Sequence, residues 1–258
     1  MSLRLGIVLA DETLLRAARE DDAVDVVLLR STFINPPRGA ATRRLGERVR
    51  ELHPQAELIP YAWHYLTHEV GDGIDVGSNR SLEAKPGSYG HFRSTPEVEQ
   101  AWEITRICAQ SLDAHRVVVR TPTSFSPGTL SRRRLTNFVA SRSPEDPKLL
   151  WEPVGLWEPA AAAAFAAPLG VEVIAPAFGM TGQLLDFGEA RWLLISGGKD
   201  ARLRSSHAEI LAYAVEDLDE EDEDEGDDES SDQAHLTLLF DGPRAYTNLR
   251  AFVAAREI

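Results

Sequence analysis

The chain has 258 residues, 43% of them hydrophobic, which suffices for one large core in a single domain. No apolar run reaches the roughly 18 residues of a membrane span, and the single cysteine, Cys108, excludes an internal disulfide and reads as a buried thiol. The net charge of −14 is local: of the 41 acids, thirteen lie in residues 216–232, EDLDEEDEDEGDDESSD, and without them the 27 basic residues nearly balance the rest, leaving no basic stripe of the kind nucleic-acid binding needs.

The opening MSLRLGIVLADE lacks a long apolar stretch followed by a small-residue cleavage site. It reads as a first strand rather than a signal peptide, so the expected compartment is the cytoplasm. DETLLRAARE follows as a helix candidate with Asp11 as its N-cap. VDVVLLR, from Val24, is the second strand, and GAATRRLGERVREL the next helix. ELIPYA, from Glu57, is the third strand. After it, residues 64–94 form a long, polar, glycine-bearing segment, and a loop of that length in a compact domain carries function or motion. TPEVEQAWEITRICAQSL opens with Thr95 as cap and Pro96 at the first helical position. RVVVRT, SRRRLTNFVASR, LLWEP, EPAAAAAFAAPLG and VEVIAP continue the alternation. The sixth crossover offers only FGMTGQLLDFGEA and is expected to be irregular. RWLLIS, SSHAEILAYAVEDL, HLTLLF and PRAYTNLRAFVAAR complete the chain.

Eight strand–helix units with nearly continuous apolar strands predict an α/β fold, a TIM-like (β/α)8 barrel of eight parallel strands in one domain. An open doubly wound sheet is the alternative, since periodicity does not prove closure. No G-x-G-x-x-G follows the first strand, which argues against dinucleotide binding. The 64–94 loop then falls on the C-terminal face of the barrel, where catalytic groups emerge. Residues 216–232 fall on the opposite face and, by self-repulsion, are expected to be a disordered insertion that could attract a basic protein partner.

Several motifs carry a family resemblance. YAWHYLTH after the third strand, YGHFRSTPEVEQAWEITRICAQSLDAHRVVVRTPTSFSP, LLWEPVGLW, RWLLISGG and HLTLLFDGPRAYTNLRAF resemble the YecE-like family, the domain of unknown function numbered 72. The likeness is strongest between Tyr89 and Trp157. It implies a (β/α) barrel, in a family whose activity is not established. Against the family pattern, Thr32, Phe33, Thr67, His68, Thr121, Pro122, Ser124, Phe125, Glu152 and Trp157 are retained. Leu28, Arg30, Tyr61, Arg120, Val154, Leu194, Ser196, Asp241 and Gly242 stand where the family carries other, mostly polar, residues. The resemblance therefore implies a divergent barrel with a lost or altered ancestral site.

Glu152, at the end of the fifth strand, is the first candidate catalytic group, with Arg30 and Arg120 on other strands able to clamp a carboxylate or phosphate or simply to pair with it. His68 is the candidate base. His64 and His68 are four apart and could hold a metal with a third ligand such as His91 or Asp72, but there is no H-E-x-x-H or cysteine pair, so neither a metal nor another cofactor is expected. Lys199 in ISGGKD, completed by Asp241, would add a phosphate contact, and Trp157 could stack on a ring. Two readings follow: a barrel that binds a small polar or anionic ligand or a partner, and an active hydrolase-like or phosphate-handling enzyme built on Glu152, His68, Arg120 and Lys199.

Overall fold

The computed structural model describes residues 2–74, 85, 87–197, 200–224 and 235–256. Eight strands appear where the apolar runs predict them: β1 Ser2–Val8, β2 Val26–Leu29, β3 Glu57–Pro60, β4 Arg116–Arg120, β5 Lys148–Glu152, β6 Glu172–Pro176, β7 Trp192–Ser196 and β8 His235–Asp241. All neighbours are parallel, in the order β3-β2-β1-β8-β7-β6-β5-β4. The two ends of that order meet through one bridge, Tyr61 with Val118, where the Ala62 amide donates to the Val118 carbonyl at 2.8 Å. That seam turns the sheet into a barrel rather than the open alternative.

Among the described residues six α-helices pack outside: α1 Gly39–Leu52, α2 Pro96–Leu112, α3 Thr129–Ala140, α4 Pro159–Ala166, α5 Ser205–Asp224 and α6 Ala245–Arg256. Thr95 caps α2 by accepting the Val98 amide, as the sequence signal requires. The first crossover departs from expectation. Asp11 does accept the Thr13 amide at 2.7 Å, but the segment is a 3-10 turn, Glu12–Ala17, because only Leu14, Leu15 and Ala18 find the core. The crossover from β6 to β7 contains no α-helix. Helix α5 carries the first acids onward to Asp224, glutamate being a good helix former; residues 225–234 lie outside the described residues. Among the described residues no helix is long and apolar enough to cross a membrane.

Strand alternation divides the core. Val8, Val26, Leu28, Ile59, Tyr61, Val118, Leu150, Ile174, Trp192 and Leu239 fill the barrel, while the intervening residues pack against the helices. The interior is tight: at Gly6 a Cβ would lie 2.8 Å from the Leu239 side chain and 3.1 Å from that of Val26.

The N-terminal end of the barrel is closed by a charged circuit. Arg4 and Arg116 each bind the Glu57 carboxylate at 2.9 Å, and Arg116 also binds Glu172 at 3.1 Å. Both guanidiniums lie over the Trp192 ring, whose N–H donates to Glu172 at 3.0 Å. Burial alone would raise the Glu57 carboxyl, but hydrogen bonds and charge from Arg4 and Arg116 outweigh it and hold the group below its usual value of 4.5. A depressed carboxyl stabilises the fold fully above its unfolded value and loses that contribution as the pH falls through the folded value. Glu57→Gln should therefore cost about 1–2 kcal/mol at neutral pH. In denaturant titrations it should also flatten the loss of stability below about pH 4.5. A variant as acid-sensitive as the wild type would contradict this.

Candidate functional site

The sequence candidates converge at the C-terminal end of the barrel because alternate residues of each strand point inward. Arg30 stands just past β2, Tyr61 just past β3, Arg120 and Glu152 end β4 and β5, and Asp241 ends β8. Arg30 grips Asp241 with one terminal nitrogen, 2.9 and 2.7 Å from the two carboxylate oxygens. Its other terminal nitrogen donates to the Tyr61 hydroxyl at 3.3 Å and lies 3.7 Å from Glu152. Tyr61 donates in turn to Glu152 at 2.7 Å, and Arg120 approaches the second Glu152 oxygen at 3.5 Å. Two cations face two carboxylates, so the cluster is neutral.

Burial weighs against the Arg30 charge, and the carboxylates of Glu152 and Asp241 favour it. Burial, and then the Glu152 charge, drive the Tyr61 phenol well above its ordinary value, so it serves as a neutral donor. Arg120 differs from the rest. Its side chain is 32% exposed against 5% for Glu152, and among the described residues its guanidinium makes only the long contact with Glu152.

Apolar groups close the barrel axis around this network. Phe33 is buried beside Tyr61 and His68, with ring centroids 6.2 and 5.0 Å away, and Ile34, Ile74 and Leu194 pack on the same interior cluster. Ile74, just before the undescribed part of the loop after β3, thus reaches the interior cluster.

His68 lies beneath this loop with Nδ1 2.9 Å from the Thr67 hydroxyl. Burial, aided by the charges of Arg120, His64 and His91 and opposed by Asp72, lowers its pKa to about 3. His64 is also buried, with Nδ1 3.2 Å from the Phe33 carbonyl. Among the described residues no group of three His, Cys, Asp or Glu is placed to hold a metal ion.

A second polar cluster joins His91 and Asp72, offered by the sequence only as third ligands for a metal, to the retained Ser124. His91 Nε2 lies 3.1 Å from Asp72 and 3.0 Å from the Ser124 hydroxyl, which donates to Asp72 at 2.5 Å. It is a clasp rather than a nucleophilic triad, because Ser124 and Asp72 share one imidazole nitrogen and Asp72 also accepts the Glu69 amide. The clasp ties the loop after β3 to the end of β4. Gly90, His91 and Phe92 all take positive φ, a run that docks on residues 65–67 through three backbone hydrogen bonds. The sequence signal for it is Gly90, where a Cβ would fall 2.6 Å from the His68 backbone.

No protein-family model matches this chain, and no curated protein matches it. Solved structures do. A DUF72 family protein from Enterococcus faecalis superposes with a TM-score of 0.64 at 8% identity, over 99% of this chain and 96% of that one. A second, from Thermotoga maritima, gives 0.60 at 11% identity, over 100% and 98%. The fold is that of a DUF72-like barrel. An AP endonuclease of family 2 from Brucella melitensis superposes at 0.56 with 12% identity, over 98% of both chains. Identities this low speak for the fold alone.

In this DUF72-like barrel the residues retained from the family pattern are largely staples. The buried Thr32 hydroxyl bonds the Leu29 and Tyr61 carbonyls at 2.9 and 2.8 Å, and Thr121 accepts the Trp151 N–H at 3.1 Å. Trp157 is placed away from the mouth. It sits among Phe125, Trp151 and Phe165, with its N–H spent on the Phe125 carbonyl at 2.6 Å. Lys199 lies outside the described residues. The preceding Gly197 abuts the Ala201 backbone, which Asn248 of α6 holds at 2.9 Å.

The depressed His68 pKa has a measurable sign. The neutral imidazole is favoured by folding, so its contribution to stability is complete above about 6.5 and is lost progressively toward about 3. Side-chain nitrogen spectra should find His68 neutral at about pH 5, where an unperturbed histidine is mostly charged. A midpoint near 6.5 would contradict the burial argument.

Proposed function

We propose that this barrel binds a small anion, a carboxylate or phosphate, at the Arg120 side of its mouth, and that Glu152 performs no chemistry there. One observation carries the reading: among the described residues Arg120 is the mouth cation with donors to spare. Arg30 is committed to Asp241 and Tyr61, while Glu152 is held between Tyr61 and two guanidiniums. A guanidinium presents its donors as a planar fork that matches carboxylate and phosphate oxygens. The hydrolase-like or phosphate-handling alternative asks Glu152 to act as acid, base or nucleophile, and its charge is already spent within the barrel. The apolar plug of Phe33, Ile74 and Leu194 along the axis favours a shallow ligand at the rim over one in the barrel. The fold does not choose the function, since barrels of this shape host unrelated chemistries.

Thermal unfolding in the presence of phosphate and of a series of small carboxylates tests the proposal. At about 100 times its dissociation constant a ligand of the folded state adds about 2.7 kcal/mol. Arg120→Gln should abolish the stabilisation. Glu152→Gln, which removes the competing carboxylate while keeping an acceptor for Tyr61, should tighten binding. No stabilisation by any anion, or an equal response in wild type and Arg120→Gln, would overturn it.

A further inference from the structure

The upper shoulder of the barrel carries a surface that the mouth does not use. Helix α3 buries Leu135 and Phe138 and leaves Leu130, Arg133 and Arg134 on one outward face, at the i, i+3 and i+4 spacing of helical neighbours. Leu130 is 48% exposed. Arg134 lies within electrostatic reach of Arg93, Arg133 and Glu69: burial and the two like charges hold its guanidinium below its ordinary value, with Glu69 opposing. Arg93 is bound to Glu69 at 2.5 Å, and the next residue, Val70, is 65% exposed. The clasp of Asp72, His91 and Ser124 fixes this loop against the end of β4, from which α3 departs. Arg93, Arg133 and Arg134 against Glu69 thus make a net positive group, with the exposed Val70 and Leu130 on the same two elements. Arg132 is not part of it, being committed to the Pro127 carbonyl and the faces of Trp157 and Phe165.

The same chain carries the complement, thirteen acids within residues 216–232. That segment and the patch belong to opposite ends of the barrel. It enters and leaves at the N-terminal end of the barrel, between α5 and β8, and β8 lies half-way round the ring from β4. The barrel wall alone is about 20 Å tall at roughly 3.3 Å per strand residue.

We propose that the Arg93–Arg133–Arg134 patch, with Val70 and Leu130, docks the acidic segment of a second copy of this chain. The contact is heterologous, head to tail, with one copy offering its N-terminal end and the next its upper shoulder. Contacts of that kind propagate unless a rotation closes them. Neither the mouth nor its anion takes part.

Sedimentation velocity over a concentration series tests this on the full chain. Association should appear at about 0.01 M salt and vanish toward about 1 M, as the screening length falls from about 30 Å to about 3 Å. Arg133→Glu with Arg134→Glu should abolish it, and so should deletion of residues 218–232. Mixing those two variants should restore a complex that stops at one copy of each, since one keeps the acidic segment and the other the patch. If the deletion does not fold, neutralising the acids of residues 225–232 to amides replaces it. A monomer at every concentration, self-association that persists in either variant, or no complex on mixing would each overturn the proposal.

Discussion

The guanidinium of Arg30 organises the upper end of this barrel. It enters from the end of β2 and engages β8 through Asp241 and β3 through Tyr61, and its charge reaches Glu152 on β5. Four strands of the ring are thereby held to one side chain. Removing any partner would leave a charge stranded in a largely dry site, which is far more costly than never having built the pair. The buried Tyr61 phenol, the neutral charge balance and the isolation of Arg120 as the cation with free donors follow from that arrangement.

The two ends of the barrel use similar chemistry for different purposes. At the N-terminal end Arg4, Glu57, Arg116 and Glu172 form a chain of ion pairs around the Trp192 ring. At the C-terminal end the pairing is incomplete among the described residues: the Nε of Arg30 is buried without a partner and Arg120 is only loosely engaged. That asymmetry agrees with the division of labour in this fold, stability below and ligands above. It is also the reason the anion reading rests on Arg120 rather than on the more deeply buried groups.

Much of the fold could be read from the sequence because parallel strands covered on both faces leave a strong apolar signature, and all eight did so. The mouth residues Arg30, Arg120, Glu152 and Asp241 were legible for a simpler reason: each lies at or just beyond the C-terminal end of a strand. What periodicity could not supply was the inward phase, which the Tyr61–Val118 seam and the Arg30–Asp241 pair now fix. Trp157 was read as a stacking platform because it is an aromatic near a strand end, and nothing local reveals that Phe125 takes its N–H. Asp72, His91 and Ser124 were separable only as loop residues, since their convergence depends on a left-handed run at residues 90–92. The first crossover fell short of an α-helix because too few of its side chains reach the core.

A double-mutant cycle between positions 30 and 241 tests the central claim most directly, with Arg30→Met, Asp241→Leu and the pair measured by reversible chemical denaturation. The account predicts that each single change costs about 2–4 kcal/mol, somewhat less than for a fully buried pair, and that the double change recovers much of that loss. Strictly additive costs, or single changes that leave stability untouched, would mean that the barrel mouth is not held together by this ion pair.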